Sequence, residues 1–399
     1  MKIPRKSAIL SALALALVTS VLHAQSFPLP TKEMQAIIDK DTSRHFGDAP
    51  LNAGPLATDL SPALENVAID KALRKVADWQ LARSQPHWDR IWTSSVMYSG
   101  FMAASEATGD PKYRKAMFEM SKHFDWQLRS RMPDADDQSI GQTYLELYFQ
   151  DKRASYISKT RMELDDLIGL KTVRADDPRL PWWWCDALFM APPVWAQMYK
   201  ATGERKYLDY VHAQWKATSD LLYDKTEHLY ARDASYINKR EPNGKKMFWS
   251  RGEGWVMGGL ARTLDLVPLD DPQRPFYIQQ LREMSNRVAS LQGPHGLWHA
   301  GMLDPKTYPL PEVSGSALFV YAMAYGVNRG HLDEKKFRPV IAKAWAGILK
   351  HVYADGRLGG IQQTGAEPAF YRPTSSFNYG VGGFMLAAAE LKKMAEGKK

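Results

Sequence analysis

The chain has 399 residues, 45% hydrophobic and 24% charged, enough for one large or two ordinary globular domains with a sizeable core. Its formal charge of +8 is a mild excess, and the basic residues are spread among acids along the chain, which argues against a nucleic-acid-binding surface. The single cysteine, Cys185, excludes an intramolecular disulfide and, because it lies outside the leader, a lipid-anchored cysteine at a cleavage site.

In chain order, the first 24 residues read as a secretory signal: Lys2, Arg5 and Lys6 precede the apolar run Ala8 to Leu22, and Ala24 stands before polar Gln25. Removing the leader lowers the net positive charge by three. The run is short for a membrane span and no second one follows, so an exported protein without a membrane anchor is expected, periplasmic first and secreted as the alternative. Residues 25–62 are rich in Pro and polar residues and read as an N-terminal arm; residues 63–399 read as one domain.

From there the pattern is helical. Leu73 to Arg83, Tyr113 to Leu128, Tyr207 to Leu222, Phe276 to Leu291, Ala317 to Val327 and Phe337 to Val352 carry apolar residues at three and four spacing. The join Thr108-Gly109-Asp110-Pro111-Lys112-Tyr113 recurs as Thr202-Gly203-Glu204-Arg205-Lys206-Tyr207, with a related one at Gln150 to Tyr156. His295-Gly296-Leu297-Trp298 and Asp355-Gly356-Arg357-Leu358 read as glycine caps followed by extended turns. The expectation is an all-α toroid of antiparallel helical hairpins.

Several clusters fall at loops or helix entries, where a toroid would gather them on one face. Asp134-Ala135-Asp136-Asp137 precedes a helix running through Tyr144; capping explains one such acid but not three. Pro181-Trp182-Trp183-Trp184-Cys185-Asp186 sets a lone carboxylate among indoles. Desolvation raises the pKa of such a group, so Asp186 is a candidate general acid, with an N-cap or a buried ion pair as the ordinary alternative. Phe248-Trp249-Ser250-Arg251-Gly252-Glu253-Gly254-Trp255 joins an aromatic face to a guanidinium fork, the way a sugar acid is held, although a core Trp beside a salt bridge reads equally well. Glu312-Val313-Ser314-Gly315-Ser316 also reads as a capped helix start.

Taken together, Trp184 to Pro193, Phe248 to Trp255, Gly296 to His299 and Glu312 to Ser316 resemble the unsaturated rhamnogalacturonyl hydrolases, family 105 of the glycoside hydrolases, and share the pattern of the related unsaturated glucuronyl hydrolases of family 88. The similarity runs in order from Trp92 to the Asn378-Tyr379-Gly380-Val381-Gly382-Gly383 segment. It implies an (α/α)6 barrel of six hairpins, without metal or organic cofactor. The substrate implied is an oligosaccharide ending in a 4,5-unsaturated uronic acid, of pectin or rhamnogalacturonan type first and glucuronide type as the alternative. An aspartic acid protonates C4, water adds at C5, and the hemiketal opens and expels the remaining sugar.

Carried over by motif, Asp186 is the acid and base. The family's second aspartate stands five residues before a glycine, here Asp136 before Gly141, with Asp137 as the neighbouring choice. Trp249 and Arg251 take substrate-binding positions, and Trp92, Trp184 and Trp298 are further expected contacts. The chain departs from the family where a histidine follows Leu-x-Tyr: it reads Leu229-Tyr230-Ala231-Arg232-Asp233. Arg232 is therefore expected to take over carboxylate recognition, which leaves the leaving sugar open. His228 and His299 are read as satisfied polar groups. A monomer is expected. Two other readings remain: a non-catalytic carbohydrate-binding barrel, and a terpene cyclase in which Asp134 to Asp137 supplies an Asp-x-Asp-Asp acid.

Overall fold

The computed structural model describes residues 53–85, 87–131, 133–170 and 181–397; the expected leader and residues 25–52 of the arm lie outside them. Twelve long helices alternate between an outer and an inner ring. The outer ring comprises α1 (Asn66–Ser84), α3 (Pro111–His123), α6 (Ser158–Gly169), α9 (Arg205–Leu222), α11 (Arg274–Ser290) and α13 (Glu334–Leu349). The inner ring comprises α2 (Trp92–Thr108), α5 (Gly141–Asp151), α8 (Pro192–Thr202), α10 (Ser250–Leu264), α12 (Val313–Asn328) and α14 (Asn378–Ala395). Two single turns, α4 (Ala135–Gln138) and α7 (Ala187–Met190), lead into α5 and α8. A two-residue hairpin, β1 (Tyr223–Asp224) with β2 (Leu229–Tyr230), follows α9. The architecture is the expected (α/α)6 barrel.

The outer helices are amphipathic and bury one stripe each, so their spacing shows in the sequence. Inner helices are enclosed on all sides: every residue of α12 except Asn328 is buried. Their rims touch through small residues. The ring closes where α14 meets α2, and there a Cβ on Gly382 would lie 2.5 Å from the Val96 carbonyl oxygen, so only glycine fits.

The recurring join performs the same task twice. Gly109 and Gly203 adopt φ of 67° and 75° to end an inner helix. The Thr108 and Thr202 hydroxyls each accept from the backbone two residues on, at 3.2 Å. Tyr113 then donates to Asp78 of α1 and Tyr207 to Asp165 of α6, at 2.6 and 2.7 Å, fastening each outer helix to its predecessor. In the related join Lys152 takes the left-handed position, at φ 56°.

Two expectations need correction. The helix read as Tyr113 to Leu128 stops at His123, because Asp125 and Trp126 adopt φ of 50° and 57° and bring the Trp126 ring into a stack 3.7 Å from Tyr156. Gly296 and Gly356 are not caps, since the helices before them end at Ser290 and Leu349. They are turn glycines, at φ 89° and 104°, pressed against the backbones of Lys343 and Lys75.

Candidate active site

The N-terminal ends of the inner helices meet at one mouth of the barrel. Trp92 opens α2; Asp136 and Asp186 sit in the turns leading into α5 and α8; Trp249 and Arg251 stand at the entry of α10, Glu312 at that of α12 and Tyr379 at that of α14. The expectation that the motif clusters share a face is met by this topology. Helix N-termini carry partial positive charge, which favours an anionic ligand at this end.

Asp186 is 8% exposed. A β-bridge between Trp184 and Asp233 and a hydrogen bond from the Cys185 backbone N–H to the Arg232 carbonyl, at 2.8 Å, lock its backbone against the segment after β2. Its side chain accepts from the Cys185 thiol, Sγ to Oδ1 at 3.2 Å. Burial raises its pKa, opposed by the nearby Arg232 and Arg251 charges and by the thiol.

The three acids of the 134–137 run divide their work. Asp134 caps α4, accepting from the Asp136 backbone N–H at 2.9 Å. Asp137 is fully buried, taking the Arg131 backbone N–H at 2.7 Å and the Arg131 guanidinium at 2.8 Å, with Arg129 at 3.4 Å. It is a clamp for the turn, which corrects its reading as a substrate contact. The carboxyl of half-buried Asp136 takes no hydrogen bond or ion pair from the described residues. Burial, then the charges of Asp134 and Asp186, push its carboxyl up to about 8. The two carboxyls chosen from the motifs therefore feel one another across the mouth.

The two arginines stand in different surroundings. Arg251 is fully buried and both terminal nitrogens are engaged, donating to the Gln362 and Gln363 carbonyls at 2.9 and 2.8 Å. Its guanidinium lies 4.2 Å from the Trp249 ring centroid, and the Trp249 indole N–H donates to the Gln362 side chain at 2.9 Å. Glu312 completes this frame, capping α12 through the Gly315 N–H at 2.6 Å and accepting from the Gln362 N–H at 3.1 Å. Trp249 and Arg251 thus brace the 362–363 loop; both terminal nitrogens of the fork expected for a carboxylate are taken by carbonyls, leaving only a buried Nε without a partner. Arg232 is only part-buried. It pairs with Asp233 at 2.7 Å and lies 5.5 Å from the Trp183 ring, while its Nε has no partner.

Among the expected aromatic walls, Trp92 is half-buried, with its ring 5.2 Å from Tyr379 and 5.9 Å from Trp255. Trp184 is buried in the bridge to Asp233, and the partly exposed indole beside it is Trp183. Trp298 is wholly buried, donating to the Val288 carbonyl at 2.7 Å; it belongs to the core, which corrects its place among the substrate contacts. His299 bonds the Tyr308 carbonyl at 2.9 Å, and His228 the Tyr223 hydroxyl at 3.1 Å.

Three participants escaped the sequence reading. The Cys185 thiol was adjacent to the chosen acid, and Glu253 lay inside a quoted motif. Glu253 is fully buried and accepts the Tyr230 N–H on both oxygens, at 2.9 and 3.0 Å, pinning the hairpin under Asp186. Gln362 lies in a loop with no local signature. Among the described residues no cluster of His, Cys, Asp and Glu has the arrangement of a metal site, and no helix is long and apolar enough to cross a membrane.

The family model described as Glycosyl Hydrolase Family 88 matches residues 66–395. An unsaturated 3S-rhamnoglycuronyl hydrolase of Formosa agariphila is 38% identical over 351 residues, 84% of this chain and 93% of the relative. A protein of the same name from Alteromonas sp. (strain LOR) is 29% identical over 96% of this chain and 97% of its own length. A solved family 88 glycosyl hydrolase from Bacteroides vulgatus superposes with a TM-score of 0.77 at 30% identity, covering 82% of this chain and 98% of its own. Barrel, motif order and relatives agree, and the chain belongs to Glycosyl Hydrolase Family 88.

Proposed function

We propose that the chain hydrates the C4=C5 bond of a 4,5-unsaturated uronic acid at the non-reducing end of an oligosaccharide and so releases that residue. The observation that carries this reading is the pair Asp186 and Asp136: two carboxyls at one mouth, both with raised pKa and neither held in an ion pair among the described residues. A carboxylic acid whose pKa is raised holds its proton more readily and can deliver it to an electron-rich alkene carbon. Asp186 gives its proton to C4, and positive charge develops at C5 and the ring oxygen. The resulting carboxylate then takes a proton from the water that attacks C5. The hemiketal opens, and the glycosidic oxygen leaves with the remaining sugar. Asp136 orients substrate hydroxyls and resists simultaneous ionisation with Asp186. Only protons and water are exchanged.

Arg232, rather than Arg251, receives the uronate carboxylate in this proposal, because its guanidinium is part-exposed whereas that of Arg251 is fully buried with both terminal nitrogens taken by carbonyls. Trp92 and Trp183 flank the ring. The leaving sugar we propose is rhamnose, joined to an unsaturated glucuronate in preference to the pectin type; the names of the two relatives and the Arg232 departure support this. Action as an exported, periplasmic protein is part of the same reading, supported by the leader-like first 24 residues, and a monomer is proposed with it.

The test follows the ultraviolet absorbance of the C4=C5 bond with unsaturated rhamnoglycuronyl, rhamnogalacturonyl and oligogalacturonyl fragments. Decay that is fastest on the first and lost in Asp186→Asn is the expected result. Tight binding without decay would favour a carbohydrate-binding barrel instead.

A further inference from the structure

The Cys185 thiol touches the acid on which the proposed function rests, and the reaction as described makes no use of it. The side chain is buried, and Sγ lies 3.2 Å from Oδ1 of Asp186. Burial, with the Asp186 and Glu253 charges nearby, holds the thiol far above its ordinary pKa, so it stays a donor whether Asp186 is charged or neutral.

The packing gives the two oxygens of Asp186 different surroundings. A Cβ added at Gly252 would lie 3.1 Å from Cys185 Sγ, 3.2 Å from the Trp249 ring and 3.9 Å from Asp186 Oδ1. The Oδ1 side is thus occupied by protein: the thiol, the backbone of α10 and an indole. The backbone carrying both residues is fixed by the Cys185 N–H to Arg232 bond and the Trp184 to Asp233 bridge, which hold the two side chains' points of attachment side by side.

We infer that Cys185 is a positioning residue for Asp186: by donating to Oδ1 on the packed side, it leaves Oδ2 as the oxygen that carries the proton delivered to the substrate and later takes one from water. An oxygen already accepting an S–H bond is the poorer proton site, so the neutral acid is held in one of its two tautomers. The bond also favours the carboxylate formed after delivery. No atom or electron is gained by the cysteine; its proton stays on sulfur throughout.

The measurement is kcat, KM and the alkaline limb of the pH profile for Cys185→Ala and Cys185→Ser in the full chain, alongside Asp186→Asn. The other charged groups facing Asp186 are Arg232 beyond β2, Arg251 and Glu253 on α10 and Asp136 before α5, and none is altered. Alanine removes the donor. We expect kcat to fall about fivefold with KM nearly unchanged, and the alkaline limb to move to higher pH because the carboxylate has lost a stabilising bond. Serine restores a donor and is expected to recover kcat and return the limb toward the parent position. An alanine variant with the parent limb and rate overturns the inference. So does a serine variant as impaired as alanine, which would show that sulfur volume rather than donation matters. Full activity in Asp186→Asn would instead remove the assignment of the acid itself.

Discussion

The two mouths of the barrel treat their buried carboxyls differently. At the far end, where the inner helices terminate, a cavity of 340 Å³ is lined by Glu146, Arg262, Asp265, Arg329, Glu390 and Lys393 among others. There each of these charges has a partner. Arg262 bonds Glu146 at 2.5 Å and Gln142 at 2.6 Å, Arg329 bonds Asp265 at 2.7 Å, and Lys393 meets Glu390 at 3.3 Å. The cations also suit the negative ends of the helix dipoles. At the near end Asp137 and Asp233 are paired with Arg131 and Arg232, but Asp136 and Asp186 have no ion pair among the described residues and burial raises their pKa values. Burial raises Glu146 at the far end too, but there the paired Arg262 opposes it directly. Buried charge that is neutralised in place holds the fold, whereas buried charge left without a counter-ion is costly and remains available for proton transfer.

Substitutions at the two ends should therefore fail differently. Asp186→Asn is expected to lower kcat by about 10³-fold, within the range for loss of a general acid, while its melting temperature stays at or above the parent value. A parallel loss of stability would break the comparison. Arg262→Met at the far mouth should do the reverse. It leaves Glu146 without its partner and costs about 3 kcal/mol in denaturant unfolding, with kcat unchanged in the folded protein.

Asp136→Asn sharpens the contrast through pH. With its folded pKa near 8 and the ordinary value of 3.8, the folded protein holds a proton that the unfolded chain has released between those limits. Stability from this group is therefore complete in acid and is lost as pH rises toward 8. The variant should melt like the parent near pH 4 and at higher temperature near pH 8, with turnover reduced about 10²-fold. The smallest expected effect is that of Arg232→Lys, which keeps charge but loses the fork. KM for the unsaturated substrate should rise about tenfold with kcat little changed, and an unaltered KM would return the carboxylate to another cation.

Much of the fold was legible because the outer helices each bury one stripe; the segments with apolar residues at three and four spacing in the sequence are mostly outer ones. The inner helices, apolar on every side, lose that periodicity and show only as motifs at their entries, α12 being the exception read directly. Asp186 stood out as a candidate because its indole neighbours are adjacent in sequence. The division between Asp136 and Asp137 could not be read from the run itself, because it is set by where Arg129 and Arg131 reach. Likewise the engagement of Arg251 depends on Gln362 and Gln363, more than a hundred positions away, and Trp298 was misplaced because a buried indole and a sugar-facing one look alike in sequence.

The meeting of α2 and α14 has a consequence for how the protein comes into being. The wall that pairs Trp92 with Tyr379 joins the first inner helix to the last, and the tight seam at Gly382 forms only when that last helix arrives. Contacts so distant in sequence are late contacts in folding, formed after the local hairpins have been made. A nascent chain will carry nearly all of its helices and both aspartates before it has a closed mouth. Shortening it by α14 alone should yield an open, aggregation-prone arc rather than a weakened enzyme.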